Sequence, residues 1–128
     1  MTTEIIEKEL SFQIMEAAFE VQNQLGPGFF EGIYEVAMAL ELRSRGHQMD
    51  TQVRIPVLYK SQVIGEHILD QVVDHRVILE LKAVSQIADI HKQQALSYLR
   101  ATGLQLAIVI NFGATRVQSA RLVNTKIK

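Results

Sequence analysis

The stretch VILELKAV, residues 77–84, has the composition of a buried strand but carries an acid and a base near its centre. Side chains alternate between the two faces of a strand, so Glu80 and Lys82 point to one face and the leucines beside them to the other. Charged groups are rarely buried unless they are paired or bind a metal. The stretch therefore predicts either a half-exposed ion pair, which stabilises little, or a functional site. The spacing alone leaves both interpretations open.

The composition limits the classes of protein to consider. The chain has 128 residues, of which 48% are hydrophobic, and we expect one domain over residues 1–128. No apolar run approaches the roughly 18 residues that a membrane span requires, and MTTEIIEKEL lacks the pattern of a secretory signal. The absence of cysteine excludes disulfides and favours a cytoplasmic location. A net charge of −1 gives no global positive field, although a local groove can still be basic.

Hydrophobic periodicity predicts three helices. Apolar residues recur at spacings of three and four from about Ile6 to Leu25, and Gly26 ends that helix. A second helix is predicted over Glu31–Arg45 and a third from about Asp89 to Thr102. The apolar set expected to face the core from the second helix is Ile33, Val36, Ala37 and Leu40.

Five stretches rich in β-branched or apolar residues predict strands. Three of them, VRIPVLY (53–59), VIGEHILDQVV (63–73) and RVILELKAV (76–84), are joined by short polar connections and predict consecutive hairpins. LQLAIVINF (104–112) and RVQSARLV (116–123) predict the last two strands. The order ααβββαββ is typical of an α/β fold in which helices pack against a mixed sheet. The last residues, NTKIK, are expected to form a solvated end, with contact of Lys126 and Lys128 to phosphate as the alternative.

The loop of the second hairpin decides which charged side chains meet. If residues 74–76 form a three-residue turn, Val73 pairs with Val77 and Asp70 lies opposite Glu80, whereas a two-residue turn places Asp70 on the other face. Directly opposed side chains have Cβ atoms about 5 Å apart. The two carboxylates would then converge on the face that carries the lysine. Carboxylates that close repel each other, and a divalent cation such as Mg²⁺, which prefers oxygen ligands, is the usual remedy.

Several motifs together resemble a known nuclease superfamily. Asp70, the triplet ELK (80–82) and the helical QALSY (94–98) resemble the PD-(D/E)XK nuclease superfamily, the last being similar to the Q-x-x-x-Y element of its RecB-like branch. GFFEGIY, with Gly28, Glu31 and Tyr34, resembles the signature of the GxxExxY protein family, a small RecB-like group. The resemblance runs from about residue 10 to 123 and includes LGPGFFEGIYE, IPVLYK, LELKAV, LSYLRATG and INFG.

The resemblance implies a restriction-endonuclease-like fold and a nuclease that hydrolyses phosphodiester bonds in DNA or RNA with Mg²⁺ or Mn²⁺. Asp70 and Glu80 would be the metal-binding acids, and the Leu81 carbonyl would be a further ligand. Glu31, at the start of the second helix, would supply an additional acid. The helix dipole alone also favours an acid at that position.

The resemblance also implies which residues act on the substrate. Lys82 would be the catalytic lysine, while Gln94 and Tyr98 would line the pocket and contact the substrate or the attacking water. Tyr34 is a further candidate substrate contact, with packing as the favoured alternative. His91 shares a helix face with Gln94 and Tyr98, and either a structural role or a substrate contact fits it. In one departure from the family pattern, Ile68 stands where a basic residue is common.

Two other functions stay open at this point. The same fold can serve as a nucleic-acid-binding module without catalysis, or as an interaction or oligomerisation domain in which the charged cluster is structural. The near-neutral charge leaves room for both. The small size of the domain is also compatible with a homodimer or with a partner protein.

Overall fold

The computed structural model describes residues 5–124 and has the predicted element order, ααβββαββ. The helices are α1 (Lys8–Leu25), α2 (Glu31–Ser44) and α3 (Asp89–Thr102). The strands are β1 (Met49–Tyr59), β2 (Gln62–Val73), β3 (Val77–Lys82), β4 (Leu106–Asn111) and β5 (Gln118–Val123). The predicted α/β fold is confirmed. Lys126 and Lys128 lie outside the described residues, and none of the described helices has the length and apolar character to span a membrane.

The five strands form one mixed sheet in the order β1-β2-β3-β4-β5. β3 and β4 pair in parallel, while the other neighbouring strands are antiparallel. A parallel pair needs a crossover connection, which α3 provides. As a result, the carboxyl ends of β3 and β4 lie at the same edge of the sheet, where Lys82 pairs with Asn111.

Two hydrophobic cores cover the two faces of the sheet. On one face, α1 and α2 contribute residues such as Ile14 and Met38, which cluster with Leu79 of β3. On the other face, Leu99 of α3 clusters with Ile78. Neighbouring residues of β3 therefore enter different cores, which explains why VILEL is apolar almost throughout.

The hairpin of β1 and β2 extends well past β3. β1 and β2 pair from Met49/Val73 to Tyr59/Gln62, but β2 pairs with β3 only from Val73/Val77 to Gln71/Leu79. The predicted pairing of Val73 with Val77 across a three-residue loop is confirmed. The ladder ends one position before the predicted pairing of Asp70 with Glu80. Residues 53–69 of this hairpin do not pair with β3, and we call them the hairpin arm.

The prediction for the inner face of α2 is wrong. Ile33, Val36 and Leu40 are 45%, 62% and 63% exposed, and Ala37 is only partly buried. The buried residues of α2 are Tyr34, Met38, Ala39 and Leu42. Both sets recur at helical spacing, so the period alone could not identify the inner one. The helix consequently carries a second apolar stripe, which faces outward.

Replacing each of two leucines in α2 tests this orientation. Leu42→Ala should lower the free energy of unfolding by about 2–5 kcal/mol, because Leu42 is fully buried and its removal leaves a cavity. Leu40→Ala, two residues earlier in the same helix, should change it by no more than about 0.5 kcal/mol. Urea unfolding measures both values, and equal losses would contradict the orientation.

Candidate metal-binding and catalytic site

Asp70 lies where β2 separates from β3. Its Oδ2 atom accepts a hydrogen bond from the Leu81 N–H at 2.8 Å. If β2 and β3 stayed paired, a backbone carbonyl of β2 would accept this hydrogen bond, so the side chain of Asp70 takes the place of that carbonyl. The N–H and carbonyl of one strand residue point to the same side of the strand. The Leu81 carbonyl therefore points toward the gap that opens beside Asp70. This position is compatible with the predicted ligand role of that carbonyl.

Three carboxylates meet beside this gap. Oxygen atoms of Glu31, Glu35 and Asp70 lie within 4.8 Å of one another. Glu31 and Glu35 are one turn apart on α2 and share a face. Glu35 is absent from the predicted site, although its spacing of four from Glu31 in the sequence is the signal that could have identified it. Glu80 does not belong to this group of three.

The pKa values of the two glutamates on α2 reflect this crowding. The pKa of Glu35 is raised to about 7, mainly by burial and in addition by repulsion from Asp70 and Glu31. Burial also raises the pKa of Glu31, while the positive charge of Lys82 opposes the rise. Carboxylates with raised pKa values hold protons unless a cation replaces them.

Side-chain amides fix Glu35 beside Asp70. Gln71, which is 1% exposed, donates a hydrogen bond from Nε2 to the Glu35 carbonyl at 2.7 Å. Gln52 donates to Oε2 of Glu35 at 3.2 Å. Because Gln71 directly follows Asp70 in β2, its bond to the backbone of α2 sets the distance between the acids of the helix and the acid of the strand.

Tyr34 lies in the core and fixes the loop before Glu31. It is fully buried, and its ring stacks on Phe112 with centroids 4.8 Å apart. Its hydroxyl donates to the Gly26 carbonyl at 2.6 Å and accepts from the Phe29 N–H at 3.2 Å. A substrate contact does not fit this burial, whereas the alternative of packing does. In the same loop, Gly28 has φ +112°, a conformation that favours glycine.

Glu80 is a buried acid on the α3 side of the sheet. It is 3% exposed, and its Oε2 atom has no hydrogen-bond partner among the described residues. Its pKa is raised to about 9, mainly by burial and then by the hydrogen bond and charge of the neighbouring Asp70, while the charge of Lys82 and a hydrogen bond from Tyr98 oppose the rise. Burial also raises the pKa of the Tyr98 hydroxyl, and the adjacent Glu80 adds to this effect.

The positive charge of Lys82 acts on Glu31, Glu35 and Glu80. Lys82 lowers the pKa values of these glutamates, yet no acid among residues 5–124 lies within 4.0 Å of its ammonium group. A close ion pair is therefore absent, and the interpretation of VILELKAV as a simple surface pair does not fit. Lys82 stands beside the acids with its hydrogen-bond donors uncommitted.

The segment that follows Lys82 is held by Asn111. The buried Asn111 side chain accepts from the Val84 N–H at 2.9 Å and donates to the Val84 carbonyl at 2.8 Å. The same Oδ1 atom accepts from the Gly113 N–H at 3.0 Å. A Cβ added to Gly113 would lie 2.3 Å from the Val84 carbonyl oxygen. The two chain segments can therefore pass this close only with glycine at that position.

α3 contributes the remaining predicted residues. Tyr98 is buried next to Glu80, and the exposed Gln94 hydrogen-bonds the Tyr98 hydroxyl. His91 Nδ1 accepts a hydrogen bond from the Ala88 N–H at 3.0 Å at the start of the helix. This bond satisfies one of the free amides of the first turn, which supports the structural role for His91.

The donor set fits a hard divalent cation. It consists of carboxylate oxygens from Glu31, Glu35 and Asp70, with the unpartnered Oε2 of Glu80 on the other side of Asp70. Mg²⁺ and Mn²⁺ prefer such oxygen ligands. Within residues 5–124, the sole positive side chain that lowers the pKa of these glutamates is Lys82, so a cation would relieve both the repulsion and the unpaired buried oxygen.

A family model described as the PD-(D/E)XK nuclease superfamily matches residues 8–123. The chain belongs to this superfamily, as the sequence motifs predicted. The match is made at the level of the superfamily, so the narrower resemblance to the GxxExxY family stays a prediction. Separate searches of curated proteins and of solved structures found no match.

Gly113 provides a test of the loop after Lys82. Gly113→Ala should lower the free energy of unfolding by about 1–3 kcal/mol, because the new methyl group collides with the Val84 backbone. Gly32→Ala is the control, since nothing lies within 4 Å of its added Cβ in helix α2, and it should be neutral or stabilising by up to about 1 kcal/mol. Urea unfolding compares them, and a neutral Gly113→Ala would contradict this packing.

The raised pKa of Glu80 predicts a pH-dependent stability. The pKa is about 9 in the folded protein against an ordinary value of 4.5, so the unfolded chain releases this proton first as the pH rises. The stabilising contribution is complete below about pH 4.5 and is lost as the pH approaches 9. In EDTA, the Tm of Glu80→Gln should therefore rise relative to wild type between about pH 5 and pH 8.

Glu41→Gln serves as the matched control for this measurement. Glu41 lies at the far end of α2 and outside the acidic cluster, so its substitution should not remove the loss of stability that Glu80 causes between about pH 5 and pH 8. A constant Tm difference between Glu80→Gln and wild type over the whole range would show that Glu80 ionises normally.

Proposed function

We propose that this protein is a divalent-metal-dependent nuclease that hydrolyses phosphodiester bonds in DNA or RNA. The observation that carries the proposal is the buried, unpartnered Oε2 of Glu80 beside Asp70, which in turn lies against the carboxylates of α2. A solvated ion pair would leave no carboxylate oxygen buried and unpaired. Membership of the PD-(D/E)XK nuclease superfamily supports the same chemistry.

We assign the cation to Asp70 together with Glu31, Glu80 and the Leu81 carbonyl, and we add Glu35 to this set because of its position. When bound, Mg²⁺ or Mn²⁺ supplies positive charge for the phosphate and acidifies water. Asp70 suits a central role, since it has one oxygen on the Leu81 N–H and lies next to acids on both sides. The identity of the metal stays part of the proposal.

The other residues orient the reactants and carry charge. Lys82 has no close acidic partner among the described residues, so its ammonium group can donate to the attacking water or to a phosphate oxygen as negative charge develops. The Tyr98 hydroxyl is neutral at physiological pH, and burial raises its pKa further, so it can donate or accept a hydrogen bond but cannot act as a general base. Gln94 is exposed and contacts Tyr98, a position suited to orienting substrate.

The remaining expectations from the sequence belong to this proposal. They are a RecB-like member of the GxxExxY family, a single nuclease-like domain over residues 1–128, a cytoplasmic location, and a homodimer or a partner protein. Sedimentation of the purified protein would test the oligomeric state directly.

Calorimetric titration of Mn²⁺ is the first test of the metal site. Wild-type protein should bind the ion, whereas Glu80→Gln and Glu35→Gln should each bind it about tenfold or more weakly. Glu41→Gln, on the same helix as Glu35 but paired with Arg45, should bind it as wild type does. Since magnesium-type sites often complete their ligand shell with substrate phosphate, the titration is repeated with a short DNA strand present.

Glu80 belongs to the site predicted from the sequence, and Glu35 belongs to the observed cluster of three carboxylates, so the two variants test these two sets separately. Loss of binding in Glu80→Gln alone would exclude Glu35 as a ligand. Loss in Glu35→Gln alone would exclude Glu80. Absence of binding to every protein, with and without DNA, would contradict the metal site itself.

Cleavage assays test the catalytic roles. Asp70→Asn should lower the cleavage rate by about a hundredfold or more while the fold is retained, because an asparagine oxygen can still accept the Leu81 N–H. Lys82→Gln should have a similar effect on the rate. Lys92→Gln removes the same charge from α3, outside the acidic cluster, and should cleave normally. Salt-sensitive binding without any product in wild type would instead indicate a nucleic-acid-binding module.

A further inference from the structure

A pocket separate from the acidic cluster lies between the hairpin arm and α3. It has a volume of about 380 Å³ and is lined by Pro56, Val57, Leu58, His67, Ser97, Arg100 and Ala101. The first four come from the arm and the last three from one face of α3. The pocket exists because the hairpin arm leaves β3, so that Pro56–Leu58 of β1 and His67 of β2 lie over α3. None of the residues assigned above to the metal or to catalysis lines it.

The charge of this pocket is opposite to that of the acidic cluster. Its lining contains the guanidinium of Arg100 and the imidazole of His67 but no carboxylate. Its remaining wall is apolar apart from Ser97, whose hydroxyl donates to the Gln94 carbonyl at 2.6 Å. A cation above an apolar wall suits a ligand that joins an anionic group to an apolar body, as a nucleotide does.

Arg100 differs from most arginines of this chain. Five of the seven form a hydrogen bond or an ion pair with a carboxylate, a hydroxyl or a backbone carbonyl: Arg43, Arg45, Arg54, Arg76 and Arg121. The guanidinium of Arg100 has no hydrogen bond or ion pair with any residue in 5–124. Arg116 is also free by this criterion, but it lies in the exposed turn between β4 and β5. Arg100 is thus an uncommitted arginine that lines a pocket.

The pocket shares a wall with the candidate catalytic site. The ring of His67 packs edge-on against the ring of Tyr98, with centroids 4.7 Å apart, and His67 Nε2 lies 3.4 Å from the Ser97 hydroxyl. The Tyr98 hydroxyl interacts with Glu80. Tyr98 therefore contacts both His67 of the pocket and Glu80 of the candidate site, an arrangement that suits a polymer strand bound at both places.

We propose that this pocket binds a backbone phosphate next to the scissile one, with Arg100 as its main contact and with the attached sugar or base against the arm at Pro56–Leu58. The inference rests on the proposed nuclease function and extends it to how the strand is held. Phosphate contacts of this kind position a polynucleotide without reading its sequence. They also place affinity under the control of salt, since each contact releases counterions.

The test measures binding of a fluorescein-labelled DNA strand, single and duplex, by anisotropy over a range of salt concentrations. Ca²⁺ replaces Mg²⁺ so that the bound strand is held with oxygen-ligated metal present. Arg100→Gln should weaken binding about fivefold and lower the slope of log affinity against log salt by about one. Arg100→Lys should retain that slope because it keeps the charge.

Arg76→Gln is the matched control, because Arg76 lies in the turn at the opposite end of β3 from Lys82. It should keep the affinity and the salt slope of wild type. Thermal unfolding and Mn²⁺ titration of Arg100→Gln should both equal those of wild type, since Arg100 is exposed and touches no assigned ligand.

The outcomes separate this inference from the function on which it rests. If wild type binds or cuts the strand and Arg100→Gln does so equally well, the phosphate pocket is wrong and the nuclease proposal stands. If Arg76→Gln weakens DNA binding as much as Arg100→Gln does, the effect comes from the overall charge of the protein, and the proposed phosphate pocket is also wrong. If wild type binds Mn²⁺ but neither binds nor cuts DNA or RNA, both proposals fail. Binding of an acidic peptide in place of nucleic acid would assign the pocket to a protein partner.

Discussion

The hydrogen bond from the Leu81 N–H to Asp70 is the constraint on which the site depends. It replaces a backbone ladder bond with a side-chain bond at the position where β2 leaves β3. The backbone amide stays satisfied, so the strands can separate without leaving a buried donor unpaired. Their separation places a carboxylate at the bottom of the gap, turns the Leu81 carbonyl toward it, and frees the hairpin arm to cover α3.

A second set of contacts fixes the acids of α2 against that gap. Tyr34 stacks on Phe112, whose N–H donates to the Lys82 carbonyl at 2.8 Å. The loop before Glu31 is therefore joined through two aromatic rings to the backbone of the lysine. Gln71 makes the corresponding link from β2 to Glu35. In the signature GFFEGIY, the glutamate thus belongs to the acidic cluster, while the tyrosine and the glycine position it.

The sequence predicted those features that depend on local spacing. The three-residue turn at 74–76 set the register of β2 and β3, and apolar periodicity identified each helix. The inner face of α2 was not predictable in this way, because two apolar stripes repeat with the same period on that helix. Glu35 was missed for a related reason. The spacing of four places Glu35 on the same helix face as Glu31, but its approach to Asp70 depends on how α2 lies against β2, a contact to which the buried Gln71 contributes.

The distribution of charge is compatible with the proposed action of a nearly neutral protein on a polyanion. Glu31, Glu35, Asp70 and Glu80 concentrate negative charge where a phosphate would have to bind, and Lys82 alone opposes it. Without a cation, this cluster repels phosphate, and its three glutamates have raised pKa values. A bound metal would reverse the local sign of charge and would give the buried oxygen of Glu80 a partner. Affinity for nucleic acid would then depend on metal binding far more than on the net charge of −1. For this reason, the net charge of the chain alone underestimates the ability of such a site to bind nucleic acid.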